Sequence, residues 1–318
     1  MKAKHTLAGA LALAMLASTA VSFQVSAADT AVTLKGAKVE AEAGGEFSVD
    51  VSLEDIPSTK VNVMDFAVTY DQTVLNVDSV KIGKSADVDV SGDSTASDAP
   101  VFATNIKDGE ITVSWTTALD SNSWISEDGV ILTITGTVKD GVADGTVTPI
   151  DFAPVTRETY DGSGKNNSSM VIGYVYGGDS ATYTINAEAG SVTIGSKQTT
   201  TETTVTTTEG GKDTTATEAT TTATESKTDV TKATTTISGN IVTGTVAPGS
   251  VLYGDVNCDG TIDILDAVLL QKYLNGSVQL NYTQLANSDC QKDSQLDITD
   301  VTVLMQYLLR SFTSLPVA

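Results

Sequence analysis

The sequence predicts two folded units of different class, an all-β sandwich followed by a small all-α module at the C-terminal end. Three observations lead there. Short period-two apolar runs with turn residues between them recur from about residue 29 to 195. A stretch dominated by Thr runs from about 197 to 249, and behind it apolar residues recur at three- and four-residue steps, each time after an Asp-rich loop. A chain of 318 residues has room for about two domains of the usual ~100 to 200 residues.

The first 27 residues have the make-up of a secretory signal peptide: Lys2 and Lys4, an apolar run from Leu7 to Val21, and the small-residue site Val25-Ser26-Ala27. The sandwich is expected over 28–196. Its strand runs are Phe47 to Leu53, Val61 to Tyr70, Ile111 to Thr117, Val130 to Val138, Thr182 to Ile185 and Ser191 to Ile194, broken by turns such as Lys107-Asp108-Gly109 and Lys139-Asp140-Gly141. From Val63 to Tyr70, period two sets Phe66, Val68 and Tyr70 on one face, the expected core, and Val63, Asp65, Ala67 and Thr69 on the other. Residues 197–249 have almost no apolar side chains to offset the entropy of ordering, which predicts a disordered, extended linker. The segment 250–318 then reads as loop, helix, loop, helix, with helices from Ile264 to Leu274 and from Ile298 to Leu309.

Composition excludes several functions. The only histidine, His5, lies in the signal segment, so the mature chain would have none. That removes a Ser-His-Asp or Cys-His nucleophile, an H-E-x-x-H zinc site and a histidine base. Carboxylates, hydroxyls and two cysteines remain, and nothing identifies the carboxylate pair a glycoside hydrolase needs. The expectation is a protein that is not an enzyme. The net charge of −22 argues against nucleic acid as a partner. No apolar run after Ala28 is long enough to span a bilayer, and the C-terminal end has no anchor pattern. A secreted, extracellular protein is expected, held at a cell only through partners.

The decisive feature is an internal repeat at an offset of 34 residues, from Asp255 to Asp289. Oxygen-bearing side chains fall at loop positions 1, 3, 5, 9 and 12 in both copies: Asp255, Asn257, Asp259, Asp263 and Asp266, then Asp289, Gln291, Asp293, Asp297 and Asp300. The carbonyls at position 7, Thr261 and Gln295, add a further oxygen, which completes the ligand pattern of an EF-hand loop for a hard cation. Two calcium ions are expected. Asp replaces the usual Glu at position 12, and Ser294 stands where the first loop has Gly260, so the second site is expected to be the weaker. Cys258 and Cys290 are candidates for a disulfide across the paired loops.

The duplicated D-x-N-x-D-G-x-I-D-x-x-D loop with its helix, from about Tyr253 to Phe312 behind a Thr-rich linker, resembles a dockerin, a calcium-folded module that docks onto cohesins in cellulosome-type assemblies. The resemblance implies that partner choice rests on Ile264, Leu265, Lys272 and Tyr273 in the first repeat and on Ile298, Thr299, Gln306 and Tyr307 in the second. Because Leu265 and Thr299 differ, one docking orientation is expected to be preferred. The stretches Gly44 to Ile56, Val63 to Val77, Lys107 to Trp115 and Ala189 to Ile194 resemble a cohesin. That implies a nine-stranded jelly roll whose flat face binds another protein's dockerin, here through Val63, Asp65, Ala67, Ser114 and Thr116. The whole then resembles an adaptor scaffoldin, with a dockerin-bearing enzyme or subunit at one end and a cohesin of another scaffoldin at the other. The alternative is a dockerin-bearing carbohydrate-binding protein, whose sandwich would stack exposed aromatics on sugar rings. Trp115 falls on the inward parity, which leaves Trp124 as the evident candidate for that role.

Overall fold

The computed structural model describes residues 24–88, 100–119, 121–176, 179–195 and 251–317. Most of the expected signal segment and all of the expected Thr-rich linker lie outside the described residues.

Twelve strands among the described residues build the sandwich: β1 (Gln24–Gly36), β2 (Lys38–Glu42), β3 (Glu46–Glu54), β4 (Val63–Tyr70), β5 (Leu75–Ile82), β6 (Val101–Lys107), β7 (Glu110–Thr116), β8 (Gly129–Val138), β9 (Val147–Ala153), β10 (Val171–Tyr176), β11 (Asp179–Glu188) and β12 (Gly190–Gly195). The hydrogen-bonded order is β2-β12-β9-β4-β10-β11-β1-β3-β8-β5, with β7 on the other side of β4 and β6 beyond β7. The count exceeds the expected nine partly because two long strands are broken where they cross between layers. β1 pairs with β3, then β2 continues past Ala37 to pair with β12; β11 and β12 divide in the same way at Ala189. At the two crossings the backbones approach so closely that a Cβ on Gly36 would lie 2.5 Å from the Gly190 nitrogen, so glycine is required there by space. β1 begins at Gln24 and so overlaps the end of the expected signal segment, ahead of a register break between Ala27 and Ala31.

The core fills the space between the layers with Leu34, Val49, Val51, Leu53, Met64, Phe66, Val68, Ile111, Val113, Trp115, Leu132 and Ile134. Period two decides this: Met64, Phe66 and Val68 face inward, and Val63, Asp65 and Ala67 face the other way, as alternation requires. Trp115 is fully enclosed and donates its indole N–H to the Ala86 carbonyl at 3.1 Å, which satisfies the one polar atom it buries.

The C-terminal module contains α1 (Ile264–Leu274), α2 (Tyr282–Ser288) and α3 (Ile298–Leu308). The two expected helices are present to within a residue, and α2 is additional. Its signal was the capping box of Asn281 and Gln284, in which Asn281 Oδ1 accepts the Gln284 N–H at 3.1 Å and Gln284 Oε1 accepts the Asn281 N–H at 3.0 Å. Two turns of helix are too short to show a clear period in sequence. α1 and α3 bury Val268, Leu269, Leu270, Val301, Leu304 and Leu308 together.

Candidate calcium loops and docking face

Each Asp-rich loop is held by its own carboxylates, and the two share one framework of carboxylate-to-amide bonds, to which the first adds an Asn257–Asp259 pair at 2.8 and 2.9 Å. Asp255 accepts the amides of Asp259 at 3.1 Å and Gly260 at 3.2 Å; Asp289 accepts those of Asp293 at 3.0 Å and Ser294 at 3.2 Å. Asp259 and Asp293 each accept the amide two residues on, from Thr261 and Gln295, both at 2.8 Å. Asp266 ties both ends of the first loop, accepting from Asn257 at 2.9 Å and from Asp263 at 2.8 Å. Asp300 does the same for Gln291 and Asp297, both at 3.0 Å. Asp263 and Asp297 cap the helices that follow, so position 9 serves as both loop carboxylate and N-cap.

Electrostatics mark these carboxylates as costly without a cation. Burial, then the neighbouring Asp259, pushes Asp255 up to about 6, and burial pushes Asp300 up to about 6 as well. Asp263 and Asp266 are raised together, first by burial and then by neighbouring carboxylates, which for Asp266 means Asp263 above all. An oxygen-only, anionic donor set of this kind suits a hard divalent cation such as calcium. The side chains are turned onto loop amides, and among the described residues no three His, Cys, Asp or Glu side chains converge into a closed metal cage. The first loop is half covered, with Asp255 and Asn257 buried, whereas Asp293, Gln295 and Asp297 of the second lie in the open.

The two cysteines are free thiols, so the candidate disulfide is absent from the structure. Cys258 is exposed on the first loop, while Cys290 is enclosed in the core of the module, and Asn287 touches both sulfurs, at 3.7 and 4.0 Å. Burial and then the loop carboxylates push Cys258 up to about 11.

The outer face of β6, β7, β4 and β10 is covered by the C-terminal module. α1 lies against β4, β7 and β10, and Val63, Val171 and Val175 share one apolar cluster with Ile262, Ile264, Leu265 and Val268. Val63, Asp65, Ala67, Ser114 and Thr116, expected on an outward face, are therefore all buried. Ser114 donates to Asp65 at 2.7 Å, and Arg157 pairs with the other Asp65 oxygen at 3.1 Å. Of the expected module residues, Ile264, Leu265 and Lys272 are buried, with the Lys272 ammonium 5.6 Å from the centre of the Tyr176 ring on β10. Tyr307 is buried at the end of α3 beside Arg157 and Asp161; Tyr273 and Gln306 are partly covered. Ile298 and Thr299 face solvent.

Sequence reading missed the polar links across this junction: Arg157, Arg310, Glu110, Asn105 and Thr159. A signal was present, since Arg157 and Arg310 are the only arginines of the chain, and arginine is enriched where contacts are made. Trp124 is a correction. It is buried, not an exposed stacking platform: its ring lies 6.3 Å from Tyr174 and 5.9 Å from Tyr176, and its N–H is given to the Leu119 carbonyl at 2.9 Å.

Comparison with known proteins bears on both units. The model of the cohesin domain matches residues 32–175, and that of the dockerin type I domain matches residues 253–309. The chain joins a cohesin to a type I dockerin. No curated protein matches the sequence. Among solved structures, the sixth cohesin of scaffoldin B from Acetivibrio cellulolyticus, in complex with a Cel5 dockerin, is 23% identical over 52% of this chain and 99% of that one, with a TM-score of 0.39. The OlpA cohesin in a type I complex from Clostridium thermocellum is 22% identical over 52% and 99%, TM-score 0.38. A non-cellulosomal cohesin from Archaeoglobus fulgidus is 16% identical over 53% and 94%, TM-score 0.36. Cohesin and dockerin are non-catalytic modules, and the dockerin class binds calcium. No helix among the described residues is long and apolar enough to cross a membrane.

Proposed function

We infer that the chain is a secreted, non-catalytic adaptor. Its cohesin, bounded by 28–196, captures a dockerin-bearing enzyme or subunit, and its dockerin, bounded by 250–318, plugs into the cohesin of another scaffoldin. The observation that carries this reading is the pairing in one chain of a cohesin match with a dockerin match, joined by a Thr-rich stretch. On the cohesin, Val63, Asp65, Ala67, Ser114 and Thr116 supply a small-residue face with one charge, suited to receiving a helix. On the dockerin, Ile264, Leu265, Lys272 and Tyr273, or their counterparts Ile298, Thr299, Gln306 and Tyr307, supply the helix. Two calcium ions, one per loop, make the dockerin's stability depend on the metal, because binding energy gained only in the folded state becomes folding energy.

The test is capture on two resins with the intact chain. In calcium, a dockerin-bearing enzyme and a scaffoldin cohesin are each expected to retain it, and chelation is expected to abolish retention on both resins, because each contact has a dockerin on one side. Retention by insoluble polysaccharide with neither protein captured would overturn the reading.

A further inference from the structure

The face assigned above to an incoming dockerin is occupied by the chain's own. The contact combines apolar burial with directed polar links. The Ile262 amide, in the first Asp-rich loop, donates to the Thr159 carbonyl of the sandwich at 2.8 Å, and Arg157 reaches back to the Ile262 carbonyl at 3.4 Å. At the far end, Asn105 donates to the Leu309 carbonyl at 2.7 Å, and Arg310 pairs with Glu110 at 3.1 Å. Both arginines of the chain thus sit at this one junction, one contributed from each side. Asn105 and Glu110 share the outward parity with Asp65 and Val63, so the module follows the face along β6, β7 and β4.

We propose that the adaptor closes on itself, its own dockerin covering its own cohesin's capture face, so that the free chain is a self-capped monomer that a partner must open. The proposal rests on the reading of that face as the capture face. Residues 196–250 connect the two modules, and that many residues reach roughly 180 Å when fully extended, so chain length does not prevent one module from lying on the other. Tethering raises the effective concentration of each for the other to the order of millimolar. A cap closed 99 times in 100 lowers the apparent affinity for an outside dockerin about 100-fold.

Small-angle scattering and light scattering on the intact chain in calcium test this, with R310E and the charge swap E110R/R310E beside the wild type. The probe for capture is a type I dockerin fused to a fluorescent protein. The wild type is expected to be monomeric and compact; R310E is expected to be extended and to bind the probe at least tenfold more tightly; the swap is expected to restore both wild-type values. An extended wild type that binds the probe as tightly as R310E does would overturn the cap and leave the adaptor reading intact. Head-to-tail oligomers growing with concentration would also overturn it, in favour of contact between copies. A compact wild type beside an extended R310E, with neither binding the probe, would place the failure in the capture reading and overturn the cap with it.

Discussion

Ser294 and Gly260 occupy the same position of the two loops, and both have the left-handed backbone, with φ of 64° and 86°. A side chain in that region costs roughly 1 kcal/mol or more relative to glycine. Ser294→Gly is therefore expected to stabilise the second loop by about 1 kcal/mol and to raise its calcium affinity several-fold, which titration calorimetry of the two sites would read. The turns of both loops were legible in sequence because the loop template is local, spanning a dozen positions. Arg157 and Arg310 were not. Their partners Asp65 and Glu110 lie 92 and 200 residues away, and no local pattern announces a pair at that separation.

At the scale of elements, α1 and α3 were legible to within a residue because each begins at an Asp that is also its cap. Asp263→Ala should cost about 1 kcal/mol through the lost cap even under chelation, with a further loss only in calcium; Asp263→Ser should keep the first and lose the second. Thermal melts in calcium and in chelator would separate the two contributions. Among the strands, β3, β4, β7 and β8 were legible from alternation, whereas β1, β2, β9 and β10 were not, since their pairing comes from remote segments and β10 is apolar on both faces once the dockerin covers it. Where alternation was clear it also located the core. Trp115→Ala is expected to destabilise the cohesin by about 3 to 5 kcal/mol, read from the denaturation midpoint of the intact chain.

For the molecule as a whole, pH and calcium act against one another. Without metal, Asp255 and Asp300 have folded values raised to about 6, above the ordinary carboxylate range, so the folded module holds protons that the unfolded chain has already released. Stability of the calcium-free dockerin is then expected to be full below about pH 4 and to fall as pH rises towards 6. Calcium competes for the same oxygens, so its stabilising effect should grow over that interval. Melting the chain at pH 5 and pH 7.5, with calcium and with chelator, checks this: the chelated dockerin should melt higher at pH 5, and the gain from calcium should be larger at pH 7.5. The two-unit plan was legible from composition and repeat alone. The seating of one unit on the other was not, because it is a property of two surfaces and of the few groups that link them.

Ile298 and Thr299 begin α3 in the open, while their equivalents at the start of α1, Ile264 and Leu265, lie buried against the sandwich. A duplicated module engaged through the first turn of one helix and the last turn of the other leaves one first turn free. A newcomer that grips this free turn would start its attachment before the old contact has let go, and partners would then change places by handover, at a rate set by the concentration of the newcomer instead of by spontaneous release.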